Sequence, residues 1–513
     1  MKKATPLFLV VFLLFLTTFV FFGCESQKTE STDIFTPEFV YSYYLGVCGI
    51  PRSGEDYPKA INEYIVKAAE NTGLQPIWDD AGNVIVEIPA SAGMENLPVT
   101  ILQTRTDANI DISPAIRFDP TSQGVDIYLD TFGNISATQM SMGADSAVGI
   151  ASLIALMHLE DPHGPMRLLF TAYGSSTMSG AAGLDKKYLE GDLLINVNEI
   201  SQDKIRIGSK YAKLLTTSSA LESAAVKNRS AYVVAVSGAY AHSGDGELQP
   251  TNPVAILSEI LSTTKASGIF YELSSFTTEG NSLQAPNQAV AVVILNDYEQ
   301  TRFRQIFNSV AREYSKSNDN STHVFDIRMI ETILPEKCIS NADLNRLIAC
   351  LFSLTSIDFS LQNDVLPTLT VSHFSINPES FSCSFFIEAD SEEALDAALL
   401  EQVAIEKLSN IHFESKSSIP GAMPPKENET IELLAQALNE NSGQEISVMP
   451  ATNIGELGYF YTTNPNLQVV SIGMQIDNAD HIYESIKEKN LPIAANTIAS
   501  YFKNLTRSLA SSS

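Results

Sequence analysis

The stretches LQTRTD, residues 102–107, and GADSAVG, residues 143–149, decide the fold. The first ends the apolar segment Val99 to Thr104, which has the length of a buried strand. The second leads into the apolar segment Ala147 to Leu159, which is long enough for a buried helix. Met166 to Thr171 is again a short, strand-like apolar segment. A strand, a helix and a strand in this order predict a βαβ unit whose two strands are parallel.

The flanking segments extend this pattern in both directions. Helical spacing from Tyr57 to Gly73 precedes a predicted strand at Asn83 to Ile88, and Leu193 to Val197 is a further predicted strand. Strands that alternate with helices are typical of a sheet covered by helices. We therefore predict an α/β domain with a mostly parallel sheet, whose first part spans residues 37–212.

The pattern changes between residues 213 and 417, where we predict an inserted α+β domain. Its predicted strands are Ala231 to Ser237, Gln288 to Leu295, His323 to Met329 and Ser382 to Glu388, and its predicted helices are Asn252 to Thr264, Tyr298 to Ser315, Ala342 to Leu351 and Glu392 to Leu408. Residues 418–513 return to the first domain, with a helix at Glu429 to Asn439, a strand at Leu467 to Ser471 and a terminal helix from about Leu491.

The amino terminus has the three parts of an export signal. Lys2 and Lys3 precede an apolar run from Leu7 to Phe22, and Gly23-Cys24 ends it. This ending resembles a bacterial lipoprotein signal, so we predict a signal peptide at residues 1–23, lipidation of Cys24 and a polar tether at residues 24–36. The alternative is an uncleaved membrane anchor, although the run is short for a span. Either interpretation places the body of the protein in the cell envelope, on the periplasmic or surface side of a membrane.

Composition limits the class of protein. A chain of 513 residues with 44% hydrophobic content is too long for one core and too apolar for disorder. The net charge of −28 argues against nucleic acid or an anionic membrane surface as a partner. Besides Cys24, the cysteines are Cys48, Cys338, Cys350 and Cys383, with no CxxC pair. Buried free thiols are the expectation, although export would permit a disulfide whose pairing the sequence leaves open.

Five short segments, in order and at matching spacing, resemble bacterial aminoacyl-histidine dipeptidase of the zinc aminopeptidase, carboxypeptidase and aminoacylase superfamily. They are Ala92-Gly93-Met94-Glu95-Asn96, Gly143-Ala144-Asp145, Asp192-Leu193-Leu194-Ile195-Asn196, His242-Ser243-Gly244 and Ser471-Ile472-Gly473. The resemblance runs from about residue 35 to the carboxyl terminus. It implies a zinc-peptidase-like domain with an inserted lid or dimerisation domain, two zinc ions that share a bridging carboxylate, and a glutamate that serves as general base.

The first metal motif that the resemblance implies is His-x-Asp at the end of a strand. This chain has Arg105 in place of the histidine and keeps Asp107, which would orient the ligand. Guanidinium has no lone pair to offer a metal. Asp145 matches the bridging aspartate, with Gly143 suited to the tight turn before it; the alternative for Asp145 is a helix N-cap.

The remaining ligand positions are also altered. Gly174 and Ser175 stand where the resemblance implies the general base and a ligand glutamate, and Asn198 stands where it implies an aspartate, although Glu199 would substitute if the register moved by one. The last histidine is absent, since His481 matches a different position downstream. Of the five metal-ligand positions that the resemblance implies, only the one at Asp145 keeps a residue that can bind a metal.

The predicted lid keeps one feature of the family and loses another. His242 matches a lid histidine that helps to hold the substrate and its oxyanion, although a lone histidine is more often structural. Glu388 replaces an arginine that holds a substrate carboxylate.

These replacements lead to three hypotheses. The first is a catalytically inactive lipoprotein that binds a peptide, an amino acid or a protein partner and needs no cofactor. In it, the guanidinium of Arg105 takes over the electrostatic role of the metal and neutralises Asp107 and Asp145. The second is an active zinc dipeptidase with a centre rebuilt from Asp107, Asp145, Glu199, Glu456 and His242. The third is a structural protein that forms a homodimer through the lid.

Overall fold

Apolar strands from the first and last parts of the chain form one sheet, and strands from the middle of the chain form another. The computed structural model describes residues 34–113, 115–238, 252–279, 285–314, 325–356, 367–426 and 428–512. In the described residues the two large sheets contain eight strands each. We call them the core sheet and the lid sheet.

The core sheet contains, in spatial order, β1 (Ile77–Trp78), β2 (Val84–Ile88), β6 (Met166–Thr171), β3 (Thr100–Arg105), β7 (Leu193–Glu199), β20 (Gln468–Gly473), β8 (Lys204–Ile207) and β19 (Ser447–Pro450). Its central pairs, β6 with β3, β3 with β7 and β7 with β20, are parallel, and β1 and β2 pair antiparallel at one edge. The central strands are buried on both faces, which explains their continuous apolar sequences.

The lid sheet is antiparallel throughout. Its order is β14 (Asp326–Thr332), β11 (Ser230–Ser237), β13 (Gln288–Leu295), β12 (Tyr271–Glu279), β16 (Thr368–Asn377), β17 (Ser380–Ala389), β9 (Tyr211–Ala220) and β18 (Glu414–Ile419). Two small sheets join β10 (Ser223–Ala225) to β15 (Lys337–Ile339), and β4 (Ile127–Leu129) to β5 (Asn134–Ala137), β22 (Ser485–Lys487) and β21 (Ile476–Asp477). Together, the sheets confirm the predicted class, a mostly parallel α/β sheet with an added α+β lid.

Helices cover both large sheets. They are α1 (Pro37–Cys48), α2 (Pro58–Asn71), α3 (Ala144–Leu156), α4 (Ser179–Ala182), α5 (Pro253–Ala266), α6 (Gln300–Tyr314), α7 (Asn341–Ser356), α8 (Glu392–Ser409), α9 (Glu429–Ser442), α10 (Leu457–Thr463) and α11 (Ile493–Ser512). Helix α3 packs on β3 and β7, while α5, α7 and α8 pack on the lid sheet. In the described part of the chain, no helix has the length and apolar content needed to span a bilayer.

Helix α3 packs closely against the core sheet at Gly149, which has no side chain. A Cβ at this position would overlap the side chain of Thr104 in β3 and the carbonyl of Val197 in β7. The close approach brings the amino end of α3 to the carboxyl ends of β3 and β7. Ligand sites in open parallel sheets lie at this edge.

The four described cysteines, Cys48, Cys338, Cys350 and Cys383, are buried free thiols. Burial raises the pKa of the Cys48 thiol to about 11 and that of Cys350 to about 12. Both groups are therefore protonated and unreactive near neutral pH. The lipidation site predicted at Cys24 and the signal at residues 1–23 lie outside the described residues.

Candidate functional site

Arg105 is the last residue of β3, and its guanidinium points toward the amino end of α3. Its Nη2 donates a hydrogen bond to Oδ2 of Asp145 at 2.5 Å, and its Nη1 lies 3.8 Å from Oδ1 of Asp107. The Arg105 side chain is only 13% exposed. Burial lowers the pKa of Arg105, but Asp145, Asp107 and Asp480 raise it by more, so the guanidinium stays charged. One cation therefore serves three aspartates.

Asp145 lies inside the first turn of α3, so the alternative that it is the helix N-cap is wrong. The cap is Gly143, which has φ of 60°, a left-handed conformation that glycine adopts without strain. This turn lets the helix begin at Ala144 and leaves the Asp145 carboxylate free to meet Arg105. Of the two carboxylate oxygens of Asp145, Oδ2 accepts the hydrogen bond from Arg105, whereas Oδ1 is buried without a hydrogen-bond partner.

Asp107 is held by Ser175. The Ser175 backbone N–H donates to both carboxylate oxygens of Asp107, at 3.0 and 2.9 Å, and its hydroxyl donates to Oδ2 at 2.7 Å. Burial nevertheless raises the pKa of Asp107, against the lowering effects of Arg105 and Ser175. Ser175 therefore acts as a hydrogen-bond donor to Asp107, which is the opposite of what a metal-ligand glutamate at this position would do.

Gly174 leaves room for a carboxylate from a distant part of the chain. A Cβ at position 174 would lie 2.6 Å from Cβ of Arg105 and 2.7 Å from Oε2 of Glu456. Both distances are shorter than real Cβ contacts allow. The glutamate that the resemblance implies at position 174 is thus excluded by the positions of Arg105 and Glu456.

Glu456 immediately precedes α10 and is buried, with 6% of its surface exposed. Its Oε2 accepts a hydrogen bond from Nε2 of Gln103 at 2.9 Å, while Oε1 has no partner. Burial raises the pKa of Glu456 to about 7. This value already includes the raising effect of Asp107 and the lowering effects of Thr171, Arg105 and Gln103. Glu456 is therefore a carboxylate whose charge is only partly compensated.

Asn198 supports the strand end on which Arg105 lies. Its Oδ1 accepts from the Arg105 backbone N–H at 3.2 Å and from Nδ2 of Asn196 at 2.9 Å, and its Nδ2 donates to Oγ1 of Thr104 at 3.1 Å. The neighbouring Glu199 faces Nε of Arg206 at 3.7 Å. Glu199 was the alternative metal ligand in the sequence analysis, in place of the aspartate that Asn198 replaces. In the structure it forms an ion pair with Arg206.

Two acidic residues that the sequence did not predict also lie near Arg105 and the start of α3. Asp480, in the loop after β21, is close enough to raise the pKa of Arg105. Glu484 accepts hydrogen bonds from the backbone N–H groups of Met142, at 2.6 Å, and Ala144, at 3.3 Å, and so stabilises the turn into α3. Burial and the charge of Asp480 together raise the pKa of Glu484 to about 8. No motif spacing links these residues to Arg105, since they come from the far end of the chain.

A cavity of about 250 Å³, which we call the cleft cavity, opens between the core sheet and the lid sheet. Its wall includes Arg105, Asp145, Gly174, Ser175, Asn198, Glu199, Arg206, Phe386, Glu388 and Glu456, and the segment from Ala451 to Leu457. Glu388, on lid strand β17, is 1% exposed; its Oε2 accepts from Thr368 at 3.1 Å. Burial raises the pKa of Glu388, against the lowering effect of Lys210.

The two histidines singled out in the sequence are not part of the described site. His481 lies in the loop after β21, where its ring contacts that of Tyr483, and it does not line the cleft cavity. His242 lies outside the described residues. The structure therefore brings together Arg105, Asp107, Asp145, Gly174, Ser175, Asn198, Glu199, Glu388 and Glu456.

The described residues of the site do not fit a pair of zinc ions. Arg105 stands where the resemblance implies a metal ligand and donates a hydrogen bond to Asp145, and Ser175 donates a hydrogen bond to Asp107. In the ranges that the structure describes, no group of three or more His, Cys, Asp or Glu side chains is arranged to bind a metal. Zinc sites use at least three such donors.

Comparisons with known proteins agree with this fold. The chain is 24% identical over 471 residues to the cytosol non-specific dipeptidase of Escherichia coli strain K12, a match that covers 86% of this chain and 92% of that protein. The structure of aminoacylhistidine dipeptidase from Vibrio alginolyticus aligns with a TM-score of 0.59 and 22% identity, over 92% of this chain and 97% of that one. No protein-family model matches the chain.

A more distant structure, a tripeptidase from Staphylococcus aureus, aligns with a TM-score of 0.56 and 12% identity, over 92% of this chain and 99% of that one. The inserted domain is thus included in these alignments. The resemblance to bacterial aminoacyl-histidine dipeptidase, predicted from short segments, is confirmed by similarity over most of the chain and by the fold.

Proposed function

We propose that this dipeptidase-like chain is a binding protein, whose cleft takes up a small ligand without a metal and does not hydrolyse peptides. The observation that carries this proposal is the hydrogen bond of 2.5 Å between Arg105 and Asp145. A permanent cation takes the place of a metal ligand and uses the carboxylate that would bridge two ions. Among the residues that the structure describes, no donor set supports metal-assisted activation of water.

The side chains around Arg105 support the same proposal. Ser175 donates hydrogen bonds to Asp107, and Gly174 leaves no side chain to take a proton. The cleft cavity nevertheless remains open, at about 250 Å³, with both sheets in its wall. A cavity that persists after the loss of metal donors favours binding as the retained role.

A second candidate function rests on Glu456. Its pKa of about 7 suits a general base, and it lines the cleft cavity. In this case the chain would hydrolyse a substrate without zinc. Turnover would then resist chelators and would be lost in E456Q.

Metal analysis and hydrolysis assays separate these functions. The purified protein is assayed for bound metal, and for hydrolysis of a panel of Xaa-His dipeptides with added zinc, manganese or cobalt. An authentic aminoacylhistidine dipeptidase serves as the positive control. We expect no stoichiometric metal and no turnover. About two equivalents of bound zinc, or turnover that a chelator abolishes, would contradict the proposal.

Location and assembly are separate proposals. We propose that Cys24 is lipidated and anchors the chain to a bacterial membrane, on the basis of the sequence from Lys2 to Cys24. Metabolic labelling with an alkyne fatty acid should mark the wild-type protein and leave C24A unlabelled. Labelling of C24A, or none in the wild type, would count against the anchor. Light scattering tests whether the chain forms a homodimer.

A further inference from the structure

The core sheet has two edges, and the cleft cavity lies at only one of them. Helix α3 begins at the carboxyl ends of the core strands, where Asp145 meets Arg105, and its 13 residues span about 20 Å. The chain that follows α3 reaches the other edge, because the N–H of Thr100, at the start of β3, donates to the carbonyl of Pro165 at 3.0 Å. We call the first edge the cleft edge. The second, formed by the amino ends of the parallel strands, we call the base.

Helix α1 packs on α3 and runs from the base to the cleft edge. Near its start, the ring of Phe39 contacts the ring of His158, which follows the end of α3. Near its end, the hydroxyl of Tyr44 donates to Sδ of Met142 at 3.6 Å, just before the turn into α3. Phe35, which precedes α1, therefore lies at the base.

Four aromatic rings meet at the base, and we call them the base cluster: Phe35, Phe39, Tyr43 and His158. The ring centroid of Phe39 lies 6.0 Å from that of Phe35 and 5.4 Å from those of Tyr43 and His158. A hydrogen bond of 2.8 Å joins the Tyr43 hydroxyl to Nε2 of His158. Phe39 and Tyr43 are partly exposed and His158 is exposed. Burial lowers the pKa of His158, so its ring is neutral near pH 7.

Aromatic rings that are apolar in body and polar at the tip are typical of membrane–water interfaces. The base cluster combines two phenylalanines with two rings whose polar atoms bond each other. The predicted tether leads directly to it, since Phe35 begins the base cluster. Between Cys24 and Ile34 the chain can extend over at most about 35 Å. A lipid anchor at Cys24 would therefore keep the base cluster within reach of the bilayer.

The charges beside the base cluster decide which lipid surface it fits. Glu38, Glu160 and Asp161, which are close in sequence to Phe39 and His158, are exposed carboxylates. The negative surface potential of anionic lipids repels such groups. The base cluster therefore fits a zwitterionic surface, in agreement with the net charge of −28.

We propose that the base cluster lies against a zwitterionic lipid surface when the chain is anchored at Cys24, so that the cleft cavity opens away from the membrane. This inference rests on the proposed lipid anchor and adds a contact surface and an orientation to it. A core strand of six residues, such as β3, spans about 20 Å. The cleft edge then lies at least this far from the bilayer, and a ligand reaches the cleft cavity from the aqueous side.

The one tryptophan of the chain provides a control at the cleft edge. Trp78 pairs with Val84, which pairs with Phe170 near the carboxyl end of β6. Its side chain is 44% exposed, so a quencher can reach it from solvent. F39W in a W78F background places the tryptophan in the base cluster instead.

Quenching by labelled lipid tests the orientation. The chain from Cys24 onward, which contains every described residue, is coupled through the Cys24 thiol to a maleimide lipid in phosphatidylcholine vesicles. Because the four described cysteines are buried free thiols, coupling favours Cys24, and C24A versions of each protein serve as unattached controls. Part of the lipid carries a nitroxide on its headgroup, which quenches nearby tryptophan. Relative to the C24A controls, we expect F39W/W78F to lose fluorescence and Trp78 of the wild type to keep it.

Three outcomes would overturn the proposal. They are equal quenching at the two positions, stronger quenching of Trp78, and no quenching of folded F39W/W78F. Far-UV circular dichroism establishes folding, and Y43W/W78F reports on the same base cluster if F39W/W78F does not fold. Replacing part of the phosphatidylcholine by phosphatidylglycerol should reduce the quenching of F39W/W78F. Undiminished quenching there would overturn the preference for a zwitterionic surface.

Fatty-acid labelling of Cys24 in cells reports separately on the anchor, because the maleimide lipid supplies an anchor in either case. Labelling in cells together with equal quenching at both positions would refute the orientation and leave the anchor standing. No labelling, together with quenching confined to F39W/W78F, would refute the natural anchor and support the orientation of the attached chain.

Discussion

Replacement of Arg105 by methionine removes the cation shared by three aspartates. Methionine keeps much of the aliphatic length of arginine, so the main change is the lost charge. Asp145 and Asp107 would then be left with 14% and 5% of their side chains exposed and without the guanidinium at 2.5 and 3.8 Å. Removal of one member of a buried ion pair costs about 3–5 kcal/mol. We expect R105M to lower the free energy of unfolding by this amount.

Urea unfolding followed by tryptophan fluorescence measures this loss. Trp78 is the one tryptophan of the chain and lies on β1, in the same core sheet as Arg105 on β3. Its signal therefore reports on the sheet that carries the substitution. R117M serves as the matched control, because Arg117 is exposed and its replacement should change stability by less than about 0.5 kcal/mol.

A double-mutant cycle separates the ion pair from other effects of the substitution. In R105M/D145N the unpaired Asp145 charge is also removed, so the two losses should not add, with a coupling of about 1–3 kcal/mol. A loss below about 1 kcal/mol in R105M, or strictly additive losses in the double variant, would refute the electrostatic role assigned to Arg105.

Three further predictions follow from the same cluster. The pKa of Glu456 rises from 4.5 in the unfolded chain to about 7 on folding, so its contribution to stability is full below pH 4.5 and is lost as the pH rises through 7. In urea unfolding measured across this pH range, E456Q should remove about 3 kcal/mol of this decline in stability. An unchanged pH profile in E456Q would refute the assignment of the decline to Glu456. G174A should lower the free energy of unfolding by about 1–3 kcal/mol, because its Cβ would lie 2.6 Å from that of Arg105. The control G49A, whose nearest contact would be at 3.6 Å, should leave stability nearly unchanged. Equal losses of stability in the two variants would contradict the packing argument. Zinc in excess should leave the unfolding midpoint unchanged, since a specific site occupied at 100 times its Kd would add about 2.7 kcal/mol; such a rise would show that the cluster binds metal.

The apolar strands of the core sheet were predictable because they are buried on both faces. Met166–Thr171 was predicted with its observed bounds, and Leu193 to Val197 needed only an extension to Glu199. Strand β18, Glu414–Ile419, was missed because five of its six residues are exposed and its sequence, ESKSSI, resembles a loop. It extends past residue 417, where the insertion was predicted to end. The outer strands of a sheet depend on pairing with neighbours, which local sequence does not encode.

The start of α3 shows the same limit at a single residue. The apolar run from Ala147 to Leu159 led to the prediction that the helix begins after Asp145, with an N-cap as the alternative role of that residue. The structure begins it at Ala144, because Gly143 adopts a left-handed conformation with φ of 60°. A shift of this size decides whether the Asp145 carboxylate caps a helix or meets Arg105.

The sequence by itself determined that an arginine stands at the end of a buried strand, at the position where the resemblance to dipeptidases implies a metal ligand. The chemistry of guanidinium, which has no lone pair, is sufficient for that conclusion. Only the tertiary structure decided which carboxylates interact with the guanidinium of Arg105. Asp145, Asp480 and Glu456 come from segments far apart in the chain, and burial and distance, which depend on how those segments pack, set the strength of each interaction.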